Sequence, residues 1–408
     1  MDWDDTAEQG RFRAEVRRLI EEDLPDFYRE RETRDLREDT YPWQIDSTSE
    51  DPARRDAANA WFDAVASRGW VAAHWPAEYG GGGLSAMEQY ILKAEMAAGG
   101  APPVGSNVGI SMLGPTLIVH GTEEQKRRFL PSILRGEGVW SQGFSEPGAG
   151  SDLASLTTRA VRDGDEYVVN GQKIWTSFGH YASWIALLVR TDPDAPKHRG
   201  ISLLLTSMRA PGVSVRPLID AAWGHHINET FFEDVRVPAD QIVGDENRGW
   251  YVAMTLLDNE RSNVTGAIEL RRRVGRLAAH ATGSGRKAAR LSELDSLRQE
   301  LAERAVEAEV MLGFSLRIVT IQSSGGVPNY EASVAKMFGS EAGQRMDRTG
   351  TKVFGLYANL WDPGEPLSPM EAAFTHEYVR SIPATIGAGS SEIQRNVIAT
   401  RGLGLPRG

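Results

Sequence analysis

The feature that most constrains this chain is a change of hydrophobic period, made twice. Before about Trp140 the apolar residues recur at helical spacing: Phe12, Val16, Leu19 and Ile20 mark one helix, Pro52 to Arg68 a second and Met87 to Ala98 a third. Thr122-Glu-Glu-Gln125 has the form of a capping box and predicts a short helix to Leu134. From Trp140 the pattern changes to short β-branched and aromatic runs, EYVVNGQKIWTS, WIALLVRT, GISLLLTS and TFFEDVRVP, punctuated by Asn-Gly, Asp-Gly or Pro; strands are predicted to about Asp245. After Gly249 long helical periods return, with Leu291, Leu294, Leu297, Leu301, Ala305, Ala308 and Leu312 on one bundle face. The predicted chain is α+β: an N-terminal helical domain (1–137), a middle β-barrel domain (138–246) and a C-terminal four-helix bundle (247–408).

Composition narrows the chemistry. Of 408 residues, 41% are hydrophobic and 25% charged, enough apolar content for more than one core. A net charge of -11 argues against a nucleic-acid surface. With no Cys, disulfides, thiolate nucleophiles and Cys-based metal sites are excluded. The adjacent His225 and His226 diverge on a helix or a strand, so no metal site is expected. The opening MDWDDTAEQGRFRAEVRRLIEEDL lacks the pattern of a secretory leader, and no run of 18 apolar residues suggests a membrane span; a cytoplasmic location is expected. The Gly-rich stretches lack the strand, GxGxxG and helix order of a Rossmann unit, so a nucleotide cofactor would have to bind in another way.

Two neighbouring segments carry candidate chemistry. WSQGFSEPGAGSDLASLTTRA, Trp140 to Ala160, is either an Asx/Ser-rich surface turn or a loop presenting several donors to a ligand. NGQKIWTSFG places Trp175, Thr176 and Ser177 after an Asn-Gly turn, where Trp175 is either a packing residue or a cofactor platform. These segments, with RGWVAAHWPAEYGGGGLS, GTEEQKRRFLPSIL, EDVRVP and SSEIQR, closely resemble the acyl-CoA dehydrogenase family along nearly the whole chain. The resemblance implies noncovalent FAD, an acyl-CoA thioester oxidised between Cα and Cβ, and electrons passed to an electron-transfer flavoprotein. It implies that Gln142, Phe144 and Ser145 line the flavin, that Trp175 and Ser177 meet its isoalloxazine, and that Arg286, Ser390 and Glu392 lie toward the cofactor. Ser151, Asp258 and Arg261 match CoA contacts, and the Ala388 N–H matches the donor that polarises the thioester carbonyl.

The chain departs from the family pattern at the base. Many members carry a catalytic Glu in the C-terminal loop, but aligning on EIQR puts Ala388 there. Other members take the base from a Glu-Arg pair on a bundle helix, which Glu260 and Arg261 match; Ala253, Leu257, Glu260, Val264 and Ala267 recur at helical spacing. The cross-dimer motifs are altered too: GSGRKAARLSE supplies Arg286 and Lys287 without the usual Phe-Gly, and TKVFGLYAN replaces a Gln-x-x-Gly-Gly. This combination resembles actinobacterial members of sterol side-chain degradation, which form heteromers of two related chains. The expected assembly is a homo-oligomer or a heterotetramer with a related chain, and the expected substrate a steroid-side-chain or branched acyl-CoA. Two alternatives stay open: a catalytically incomplete partner subunit, and a flavin oxidase or monooxygenase on the same fold.

Overall fold

The computed structural model describes residues 5–34, 42–258, 264–282 and 295–406. In chain order it runs through α1 (Ala7–Asp23), α2 (Asp26–Arg34), α3 (Pro42–Asp46), α4 (Pro52–Ser67), α5 (Ala86–Ala98), α6 (Gly114–His120) and α7 (Glu123–Leu134). The strands follow: β1 (Val139–Gly143), β2 (Arg159–Asp163), β3 (Glu166–Lys173), β4 (Ala182–Arg190), β5 (Ile201–Ser207), β6 (Val213–Leu218) and β7 (Ile227–Pro238). Then come α8 (Gly249–Asp258), α9 (Val264–Thr282), α10 (Asp295–Ser323), α11 (Tyr330–Phe354), α12 (Ala373–Arg380) and α13 (Ser391–Val397). Two compact units result. One combines α1, α2 and α5 with the helices from α9 onward; the other combines α4, α6, α7, the strands and α8. The N-terminal helices therefore serve both units.

In the strand-bearing unit, the sheet order is β1-β4-β2-β3-β7-β6, with β5 also pairing β4. β4 meets β2 only at Arg159 opposite Arg190, so two groups of strands share one corner and the sheet curls there. Along β3, Tyr167, Val169 and Lys173 are buried and the residues between them are not. Asn170-Gly171, expected to form a turn, instead lies inside β3 at a break in register with β7. Asn170 is held there by Asp234: its amide donates to Asp234 Oδ1 at 3.0 Å, and the Asp234 N–H donates back at 2.9 Å. A Cβ on Gly171 would stand 2.6 Å from Thr158 Oγ1, so the bulge requires glycine.

The capping box before α7 is present as predicted, with Thr122 accepting from the Gln125 N–H and the Gln125 side chain accepting from the Thr122 N–H. Gln125 also donates to the carbonyls of Asp240 and Ile242, at 2.7 and 2.6 Å, tying α7 to the segment after β7. The core of this unit is aromatic: Trp140 stacks on Trp184 with centroids 5.7 Å apart, and Phe129 meets both edge-on. Trp75 is 1% exposed and donates from Nε1 to the Ile110 carbonyl at 2.9 Å.

In the other unit, Glu95 of α5 is buried and receives Arg13 at 2.5 Å and Arg17 at 2.7 Å from α1. Arg273 of α9 pairs with the fully buried Asp347 of α11. The buried face of α10 comprises Leu297, Arg304, Ala308, Met311, Ser315 and Ile318. The predicted stripe is present at Leu297 and Ala308, which are buried, and at Leu301 and Leu312, which pack against the same core; Arg304 and Met311 turn inward beside it, and Leu291 and Leu294 lie outside the described residues. Arg304 is accommodated by Glu307, 3.0 Å away, which also receives Arg345 at 2.7 Å. Among the described residues, no helix is long and apolar enough to cross a membrane.

A Cβ on Gly114 would stand 1.8 Å from Trp75 Cζ2. Gly114→Ala is therefore expected to lower stability by about 1–3 kcal/mol through overpacking, read as a fall in the urea midpoint without a change in slope.

Candidate functional site

The segment after β1 is stapled to the end of β3 by a buried ion pair. Lys173 is fully buried; its Nζ donates to the Phe144 carbonyl at 3.0 Å and to Glu146 Oε1 at 2.9 Å. Glu146 is also buried, and accepts from the Thr157 N–H at 2.7 Å, Thr157 Oγ1 at 2.8 Å and the Thr158 N–H at 2.8 Å. Burial opposes the charge on Glu146, but the Lys173 ammonium and the donors from Thr158 and Thr157 outweigh it and hold the pKa down to about 2. Burial also brings Lys173 down to about 8, against the pull of the Glu146 charge. Gly148, Gly150 and Ser151 remain exposed beyond this anchor, and Asp152 pairs with Lys197. A cavity of about 270 Å³ lies beside the loop, lined by Glu146, Pro147, Gly148, Ser155, Thr157 and Gln172; it includes none of the residues expected to meet flavin or CoA.

Two predicted groups of cofactor residues are brought together here. The Ile174 N–H donates to the Ser145 carbonyl at 2.9 Å, and Ser141 Oγ donates to the Ser177 carbonyl at 2.7 Å. Gln142, Phe144 and Ser145 are thus joined through the backbone to Trp175 and Ser177. Trp175 has φ +62° and its indole is 57% exposed, offering an open aromatic face. Gln142 Oε1 is buried and has no hydrogen-bond partner among the described residues, leaving an unused acceptor. An exposed aromatic face and an unpaired buried acceptor fit a planar heterocycle that carries an imide N–H, as flavin does.

The C-terminal loop lies in the other unit. Ala388 has φ +53° and Gly389 φ +85°. Lys336 Nζ donates to the carbonyls of Ala384 at 3.1 Å and Gly389 at 2.6 Å, and Gln394 Nε2 donates to those of Ala388 and Gly389, each at 3.2 Å. The Ala388 N–H has no hydrogen-bond partner among the described residues. Ser390 caps α13, its Oγ accepting from the Ile393 N–H at 3.3 Å. The pKa of Glu392 is lowered, first by its backbone hydrogen bond and then by Ser390. Asp258 ends α8, while Glu260, Arg261 and Arg286 lie outside the described residues. Lys173, Lys336 and Gln394 were not expected from the sequence. Their partners are mostly backbone carbonyls, which leave no mark in residue type.

Comparison with known proteins gives three family matches: acyl-CoA dehydrogenase N-terminal domain at residues 6–137, middle domain at 141–235 and C-terminal domain at 247–403. The chain is 39% identical over 335 residues to acyl-CoA dehydrogenase FadE29 of Mycobacterium tuberculosis, covering 82% of this chain and 84% of that protein. Its fold matches the Tcur3481–Tcur3483 steroid ACAD with a TM-score of 0.83 at 33% identity, covering both chains fully. The ChsE4–ChsE5 complex from Mycobacterium tuberculosis matches at 0.80 and 35% identity, again over the whole of each chain.

Replacing Lys173 by Met would leave Glu146 charged, buried and unpaired, a loss of about 3–5 kcal/mol at neutral pH. The Glu146 contribution is present above its ordinary pKa of 4.5 and is lost as pH falls toward its folded value of about 2. The stability gap between Lys173→Met and the parent is therefore expected to narrow below about pH 4.5, as chemical unfolding at pH 7 and pH 3.5 would measure.

Proposed function

The chain belongs to the acyl-CoA dehydrogenase family, FAD-dependent enzymes that oxidise an acyl-CoA thioester at a CH–CH bond, and on that premise we propose that Glu260 is its catalytic base. The observation that carries this reading is at Ala388. Its side chain cannot take a proton, while its N–H has no partner among the described residues and the neighbouring carbonyls are engaged by Lys336 and Gln394. An α-proton beside a thioester becomes acidic when negative charge on the carbonyl oxygen meets a preorganised donor. The Ala388 N–H supplies that donor, and the proton passes to the Glu260 carboxylate. Bound FAD supplies the hydride-accepting chemistry that side chains lack.

In this reading Gln142, Phe144, Ser145, Trp175 and Ser177 hold the flavin ring, with Arg286, Ser390 and Glu392 toward the rest of the cofactor. Ser151, Asp258 and Arg261 hold CoA. The domain limits 1–137, 138–246 and 247–408 organise these contacts, and a cytoplasmic electron-transfer flavoprotein takes the electrons. The acyl group is steroid-like or branched and the active form pairs this chain with a related one. The Tcur3481–Tcur3483 and ChsE4–ChsE5 relatives support both statements, the first through its description as a steroid ACAD and both through their pairs of chains. Exposed apolar side chains late in the chain, among them Leu356 at 84% and Leu403 at 70%, are consistent with a covering partner.

Under anaerobic conditions, Glu260→Gln is expected to slow flavin bleaching by a steroid-side-chain acyl-CoA by roughly 10²–10⁴ while retaining FAD; bleaching at the parent rate would place the base elsewhere. A shared site predicts fewer flavins than chains in the assembly. One tightly held FAD per chain in a homotetramer, by absorbance and sedimentation, would end the two-chain reading.

A further inference from the structure

The turn that carries Trp175 is strained. Trp175 and Phe178 both have positive φ, +62° and +54°, a region costly for bulky side chains. The conformation is held from the start of β7: the Thr176 N–H donates to the Asn228 carbonyl at 2.9 Å and the Phe178 N–H to the His226 carbonyl at 2.7 Å. Asn228 also closes the turn with its side chain. It is completely buried, and its Nδ2 donates to the Thr176 carbonyl at 3.0 Å. That bond fixes the amide orientation, because the flipped amide would set oxygen against a carbonyl oxygen.

Two tautomers follow. The second Nδ2 hydrogen points to His180 Nδ1 at 3.1 Å, so His180 must accept there and carry its proton on Nε2. Asn228 Oδ1 lies 2.8 Å from His225 Nε2, so His225 must donate from Nε2. The two imidazoles stack with centroids 4.0 Å apart, and Tyr181 packs on His180 at 4.1 Å. His226 and Asp220, also titratable, lie beside the cluster 3.4 Å from each other. Burial first, then the proximity of His225, holds the pKa of His180 down to about 4, so it is neutral where Asn228 requires it to be.

We propose that Asn228 is a positioning residue for the flavin-facing turn Trp175–Ser177, acting through the Thr176 carbonyl and by imposing the Nε2–H tautomer on His180 and His225. This rests on the reading that Trp175 faces the flavin. Asn228→Asp withdraws the donor to Thr176 and gives His180 Nδ1 an acceptor for a proton, so the turn comes under the control of histidine ionisation.

The test uses the FAD-loaded protein. The parent is expected to show a flavin absorbance spectrum and FAD affinity flat between about pH 5 and 8, the range in which histidines titrate. In Asn228→Asp both become pH-dependent across that range, with FAD bound about tenfold more weakly at one end, the effect of losing one buried hydrogen bond. A folded Asn228→Asp protein with the parent's spectrum and affinity at every pH would overturn the proposal. A second measurement needs no variant: long-range ¹H–¹⁵N spectra of histidine-labelled parent should show Nε2–H for both His180 and His225, and Nδ1–H on His180 would overturn it. Trp175→Phe separates this from the flavin reading. If that change leaves the flavin spectrum and affinity untouched while the tautomers are as stated, Trp175 does not face the flavin, and the proposal falls with that reading although the Asn228 network stands.

Discussion

The buried pair of Glu146 and Lys173 is the interaction on which the candidate site depends. Either ion alone inside the protein would cost several kcal/mol, so each is tolerable only because the other is there and because hydroxyl and backbone donors complete the shell. Glu146 collects Thr157 and Thr158, and Lys173 collects the Phe144 carbonyl, so one charge contact fixes both ends of the intervening loop. The Gly and Ser residues between can then stay exposed without the loop losing its place. A hydrophobic pair of equal volume could fill the space but could not bind those backbone groups.

The same logic applies to the turn that follows β3. Positive φ at Trp175 and Phe178 is unfavourable in isolation, and the opposing bonds come from β7, about fifty residues away in the chain. Strain of this sort persists only where neighbours over-determine the backbone. The register of β3 on β7 is what brings Asn228 under Thr176, and the Asn170–Asp234 bulge keeps that register.

Much of this was legible in the sequence, and the failures have physical causes. The order of helices, strands and helices followed from hydrophobic period, and the α7 capping box from four adjacent residues, because both signals are local. Asn-Gly at 170–171 was misread as a turn because its conformation is set by Asp234 on another strand. The α10 face was legible at Leu297, Leu301, Ala308 and Leu312, but Arg304 was missed because it is polar by type and is accommodated inside by Glu307. Trp175 was found through its motif, but its backbone strain was not, and Asn228, Lys173 and Lys336 escaped notice because their partners lie far along the chain. Glu260, Arg261 and Arg286 rest on sequence alone, since they lie outside the described residues.

The C-terminal loop shows why its two chemical duties can be separated. Polarising a carbonyl needs only a backbone N–H at the right place, whereas taking a proton needs a side chain. At Ala388 the backbone adopts φ +53° despite having no glycine to ease it, because Lys336 and Gln394 grip the surrounding carbonyls and Ser390 starts α13. None of those bonds involves the Ala388 side chain. The loop can therefore keep its donor while carrying no acid, and a carboxylate on a helix can serve as base without any change to the grip that shapes the loop.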